Sequence, residues 1–191
     1  MNFLTDRRWL FKASAGLALV NLLMSQQSHS APTPQTKKGN GKAGDFNFLT
    51  GEWKIQNRRL KAPDTQDWDE FEGEATVWGF LEGIGSLEEL RIPARNFSGM
   101  GLRLLDIDQG IWNDYWVNSK SPVLSVPGLQ GQFEKGVGTF SASEEADGST
   151  LIVRGVWDQI EKDACRWYQT SSKDNGKTWQ DNWVMRWSRK K

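Results

Sequence analysis

Thr178-Trp179-Gln180-Asp181-Asn182-Trp183-Val184-Met185-Arg186-Trp187-Ser188-Arg189 is the stretch on which the fold turns. Successive side chains of a strand point to opposite faces. Alternation therefore puts Trp179, Trp183, Met185 and Trp187 on one face, and Gln180, Asn182 and Arg186 on the other. A face built from indoles and a thioether must point inward, and Arg189 continues its parity. Trp53 to Leu60 reads the same way, with Trp53 and Ile55 inward and Lys54, Gln56 and Arg58 outward.

The chain between these two runs has the same character. Aromatic and β-branched runs separated by turn residues at hairpin spacing predict strands. They fall at Trp68 to Phe80, Ser86 to Ile92, Gly99 to Ile107, Ile111 to Asn118, Val137 to Ser143, Thr150 to Asp158 and Ala164 to Ser171, with a short strand within Pro122 to Phe133. Only Asp45 to Thr50 reads as a helical turn. About ten hairpin-linked strands most simply close into an all-β, antiparallel up-and-down barrel, which leaves no edge exposed. A two-sheet sandwich is the alternative. In a closed barrel the first and last strands are neighbours. Arg189 is then expected across the face of Trp53, a contact worth about 1–2 kcal/mol when desolvated.

The composition narrows the chemistry. Among 191 residues, 24 are Lys or Arg and 24 are Asp or Glu. This balance argues against a nucleic-acid partner, which selects for a basic face. The length suits one domain. The eleven Trp are an excess that needs a structural or functional cause.

The amino terminus reads as an export signal, covering residues 1–30. Asp6-Arg7-Arg8-Trp9-Leu10-Phe11-Lys12 supplies a positive head with the paired arginines of a twin-arginine signal. Ala13 to Met24 is an apolar run too short for a bilayer span, which needs about 20 residues. Small residues at Ser28 and Ser30 favour cleavage at the Ser30–Ala31 bond. The mature chain is expected in the periplasm or another extracytoplasmic compartment, without stable membrane insertion. Removal of residues 1–30 leaves 21 positive and 23 negative charges, net −2, and takes away the one histidine, His29. That excludes a Ser-His-Asp triad, a histidine zinc site and proximal-histidine haem. No metal or other cofactor is expected. Cys165 has no disulfide partner and reads as a small buried hydrophobe.

Residues 31–44 are rich in Pro, Thr, Lys, Gly and Asn and read as a disordered linker before a barrel domain at 45–191. Gly39-Asn40-Gly41-Lys42-Ala43-Gly44 matches GxGxxG but lacks the preceding strand and following helix of a dinucleotide site. Gly176-Lys177-Thr178 lacks the upstream Gly of a phosphate loop, where Ser171 stands.

Gly51-Glu52-Trp53 resembles the GxW signature of lipocalins and the wider calycin group. In that group a first-strand Trp packs under a last-strand Arg. The resemblance implies that Gly51, Trp53 and Arg189 close one barrel end. The span Asp45-Phe46-Asn47-Phe48-Leu49-Thr50-Gly51-Glu52-Trp53, together with Thr178 to Arg189, is similar to the two ends of an exported bacterial calycin-like family of unknown function. That family offers no catalytic residue to carry over. Nitric-oxide-binding haem barrels share the GxW opening, but their haem needs a histidine. Ser172-Lys173-Asp174-Asn175-Gly176-Lys177-Thr178-Trp179 resembles the Asp-box of sialidase propellers. A single copy implies a hairpin turn held by Ser172, Asp174, Gly176, Thr178 and Trp179, not a multi-bladed enzyme.

The remaining chemistry rests on carboxylates, arginines and indoles. Only one of the adjacent Glu88 and Glu89 can face inward. Asp114 shares a face with Trp112 and Trp116. Arg103, Arg154 and Arg166 stand among apolar strand neighbours. The expected cavity lining is Trp78, Arg103, Asp114, Trp116, Trp157, Trp167 and Trp183, with no catalytic residue assigned. The function expected is non-catalytic binding of a small, partly apolar ligand. The alternative is an isomerase or cyclase that uses an inward carboxylate near an Arg or Tyr donor. A third reading is an interaction protein with a solid barrel. A cavity above roughly 300 Å3 separates the first two from the third.

Overall fold

A computed structural model describes residues 38–63, 65–146 and 149–191. Ten strands follow in chain order: β1 (Gly51–Leu60), β2 (Trp68–Phe80), β3 (Gly85–Ile92), β4 (Phe97–Asp106), β5 (Ile111–Asn118), β6 (Leu129–Glu134), β7 (Val137–Ala146), β8 (Ser149–Asp158), β9 (Ala164–Ser172) and β10 (Gln180–Arg189). Each pairs antiparallel with its sequence neighbours, and β10 pairs with β1, so the sheet closes into an up-and-down barrel. The sandwich alternative is excluded by that closure. This architecture is consistent with a calycin-like fold.

Registers carry the inward face across the seam. Trp53 stands opposite Ala75 of β2 and Arg189 of β10, and Ile55 opposite Gly73 and Trp187. Small residues face large ones because neighbouring inward side chains share one layer of the core. Gly99 of β4 shows the limit, since a Cβ there would overlap the Trp116 indole.

Hairpins alternate between the two barrel ends, and the chain before β1 plugs one of them. A 3-10 turn at Asn47–Leu49 carries buried Leu49 into the core, preceded by buried Phe46. The Trp53 Nε1–H donates to Leu49 O at 2.6 Å, and the Trp112 Nε1–H donates to Asp45 Oδ2 at 3.1 Å. Two fully buried indoles thus find acceptors in the plug, as buried Trp N–H groups require.

The plug begins earlier than the sequence predicts. Residues 38–44 are part of the folded end, whereas 31–37 lie outside the described residues. Gly39 N–H donates to Gln109 O at 2.7 Å, Gly41 N–H to Gly110 O at 2.8 Å and Gly44 N–H to Gly83 O at 2.9 Å. The glycines of the GxGxxG match permit this close backbone approach. A Cβ at Gly39 would collide with Gly110 O. A polar, Gly-rich composition here serves backbone packing on two hairpin turns, which composition alone cannot distinguish from disorder.

Arg189 completes the closed end. Its Cζ lies 4.2 Å from the Trp53 ring centroid. The guanidinium donates to Thr50 O at 2.8 Å, Phe48 O at 2.9 Å and Lys162 O at 3.1 Å. Gly51 sits at φ +124°, and a Cβ there would stand 2.8 Å from Arg189 Nη1. The glycine is needed both for the backbone angle and for room beside the guanidinium.

The opposite end carries the turn from β9 to β10. Asp174 Oδ1 accepts from Ser172 Oγ–H at 2.8 Å and from the Lys177 and Thr178 N–H groups at 3.0 and 2.8 Å. Ser172 Oγ accepts the Gly176 N–H at 2.8 Å, with Gly176 at φ +82°. Trp179 departs from strict alternation. The register shifts between Asp181 and Trp183, so parity read back from Trp187 fails before Trp183. Trp179 lies outside β10, with the outward Arg154 guanidinium 3.8 Å over its ring.

Candidate functional site

Alternation on β3, β4 and β5 brings three ionisable side chains into the barrel. On β3, Ser86, Glu88, Leu90 and Ile92 are all buried, so Glu89 and Arg91 face out. On β4, Arg103 stands opposite Ser86 and Asp114, and Gly101 stands opposite Glu88. On β5, Trp112, Asp114, Trp116 and Asn118 form one buried row.

Arg103 is the centre of the group. It is 4% exposed, with Glu88 at 3% and Asp114 at 7%. Its Nη2–H donates to Glu88 Oε2, and its Nε lies 3.7 Å from Asp114 Oδ1. The guanidinium carbon lies 5.1 Å from the Phe46 ring and 5.3 Å from the Trp157 ring. Burial opposes its charge, but Glu88 and Asp114 outweigh burial and hold its pKa above the usual arginine range. Nearby Cys165 is buried, and desolvation, with Glu88 adding to it, pushes its thiol up to about 12.

A cavity of about 20 Å3 is lined by Glu88, Arg103, Asp114, Trp116, Trp157, Trp167, Trp183, Met185 and Trp187. That volume accepts about one water-sized group. The indoles pack mainly edge to face: Trp157 on Trp187 at 5.3 Å and Trp167 on Trp183 at 5.8 Å between centroids. Trp183 is tied by its Nε1–H to Asn57 Oδ1 at 3.0 Å. Most of the tryptophan excess is therefore core, and the barrel interior is largely filled.

Several buried donors beside this cavity have no hydrogen-bond partner: Arg103 Nε and Nη1, Trp157 Nε1 and Trp187 Nε1. An unsatisfied buried donor costs about 1–3 kcal/mol. These N–H groups are suited to a hydrogen-bond acceptor held in the cavity.

Six of the residues read from the sequence meet at this cavity: Arg103, Asp114, Trp116, Trp157, Trp167 and Trp183. Trp78 does not. It is 46% exposed on the outer wall, because Val77 takes the inward place opposite Gly51 and Glu88. Adjacent strand residues cannot both face the core. Glu88 was the missing member, and the alternation of Leu90 and Ile92 identifies it. Arg154 and Arg166 face outward, with Arg166 donating to Asp158 at 2.8 and 2.5 Å. Among the described residues, no group of three or more His, Cys, Asp or Glu is arranged to hold a metal ion. No family model matches this chain, and no curated protein matches it.

Proposed function

We propose that this protein is an exported, lipocalin-like barrel that binds a small, partly apolar ligand without catalysis. The observation that carries this reading is the set of unpartnered N–H groups on Arg103, Trp157 and Trp187 around one aromatic cavity. The cavity falls far below the roughly 300 Å3 that marks a hollow barrel, so size alone favours a solid barrel and the unpartnered donors are what support a ligand. In this reading the cavity takes only the polar end of a ligand, while the apolar body lies against Trp116 and Trp183 on the side away from the plug. Those two indoles must turn for the body to enter. The calycin-like resemblance and the Arg7-Arg8 pair support the family and export parts of the proposal.

The test is mass spectrometry of protein purified under native conditions from cells that export it. A small molecule carrying a hydrogen-bond acceptor should leave with the wild-type protein on denaturation and be absent from folded Trp157→Phe protein. Protein that folds, carries nothing and binds nothing from an extract would overturn the reading and leave the solid-barrel interpretation.

Asp114 near Arg103 is also the inward carboxylate that the isomerase or cyclase reading calls for. That reading predicts turnover of a carbonyl compound that disappears in Asp114→Asn.

A further inference from the structure

We infer that the polar end of the ligand is an uncharged carbonyl, as in an amide or ketone, and that the site rejects carboxylates. The inference rests on the ligand-binding reading and specifies its chemistry. A buried arginine in an aromatic cavity ordinarily suggests a carboxylate partner, because a guanidinium offers charge and paired donors together. Here the two properties are separated. The Arg103 charge already faces two carboxyl groups, Glu88 and Asp114, so the cluster is formally −1 before any ligand enters. Its hydrogen-bonding capacity is not exhausted, since Nη1 makes no hydrogen bond and Nε has only the 3.7 Å ion pair with Asp114. The Trp157 and Trp187 indoles add two N–H donors that carry no charge at all.

The group that suits this arrangement accepts hydrogen bonds without bringing negative charge. A carbonyl oxygen does so, with two lone pairs for the indole and guanidinium N–H groups. A carboxylate would add a second uncompensated negative charge beside Glu88 and Asp114 in a site of low polarity, where like charges repel strongly. Glu88 and Asp114 therefore act as filters against acidic ligands, while the neutral donors hold the carbonyl.

The experiment is a pair of matched titrations of the exported form with benzamide and benzoate, followed by two-dimensional 1H–15N NMR of the indole N–H signals. Benzamide should shift the Trp157 and Trp187 signals, assigned through the Trp157→Phe and Trp187→Phe variants. Benzoate should bind about tenfold or more weakly, the size of a like-charge penalty at a desolvated site. In Asp114→Asn, and independently in Glu88→Gln, the formal charge of the cluster is zero and the preference for benzamide should shrink toward parity. A merely structural role for these carboxylates would change stability but leave that ratio alone. Benzoate binding as tightly as benzamide in the wild type overturns the inference and leaves ligand binding standing. Failure of both compounds to shift either indole overturns ligand binding at this cavity and the inference with it.

Discussion

At the scale of single residues, the half-buried Arg189 and the buried Arg103 depend on their surroundings in opposite ways. Arg189 donates to three carbonyls of the plug and of the β8–β9 turn, and lies on Trp53. Its one carboxylate partner among the described residues, Asp163 at 3.4 Å, is exposed to water, so removal of Arg189 deletes favourable contacts and strands no buried charge. Arg189→Ala should lower unfolding free energy by about 2–3 kcal/mol from lost packing, cation–π contact and hydrogen bonds. Arg186, exposed on the outer face of the same strand, should cost under about 0.5 kcal/mol when changed to Ala. Urea melts of the two variants compare them directly, and a larger loss for Arg186 would mean a shifted β10 register. Arg103 differs because its partners are buried with it. Arg103→Met strands two carboxylates in the core and should cost about 3–5 kcal/mol. The triple change Arg103→Met, Glu88→Leu, Asp114→Asn removes the unpaired charges and should recover most of that loss in the same assay. No recovery would mean that the cluster itself, and not its charge balance, holds the barrel together.

At the scale of elements, the turn between β9 and β10 shows how a short motif fixes a register. Hydrogen bonds from the Thr178 hydroxyl and N–H, then from Ser172 and Lys177, hold the Asp174 carboxyl well below the usual carboxylate range. A depressed folded pKa means that the ionised form is favoured in the folded state. Its stabilisation is complete above the unfolded aspartate pKa, about 3.9, and is lost progressively as pH falls from there through the lower folded value. Stability of the wild type should therefore fall more steeply on acidification from pH 5 than stability of Asp174→Asn. Denaturant melts across that range test this, and parallel curves would show that Asp174 contributes no proton linkage. The same element explains Trp179. The turn ends in an irregular step at Asp181 to Trp183, so the indole after Thr178 leaves the inward face and stacks with Arg154.

At the scale of the whole molecule, closure makes the core one unit. Cys165 lies inside it, 4% exposed, with its thiol pushed up to about 12 mainly by burial. A thiolate is the reactive form, so a thiol reagent at pH 8 should label Cys165 only when the barrel opens. Its labelling rate should track global unfolding as urea rises. Rapid labelling of native protein would show a local opening of β9. The proposed export is the other property that concerns the entire chain. Replacing Arg7 and Arg8 with Lys preserves charge but removes the paired guanidinium groups, and should abolish export through a twin-arginine route. Undiminished secretion of that variant in a cell-fractionation assay would leave an ordinary secretory signal.

Alternation by itself determined a good deal: ten antiparallel strands, the inward Trp183, Met185 and Trp187, and the parity that sets Arg189 on the Trp53 side. A strand's two-residue period is local, so it can be read from the chain without knowing its partners. Tertiary structure decided what depends on partners. The registers of β2 with β1 and β3 turned Val77 inward and left Trp78 outside. The bulge in β10 displaced Trp179. The backbone of two distant turns captured residues 38–44, which by composition resemble a linker. The cavity also belongs to this class. Its small volume and its unpartnered donors depend on how five indoles and three ionisable side chains from different strands fill one layer, and no segment of the chain carries that information alone.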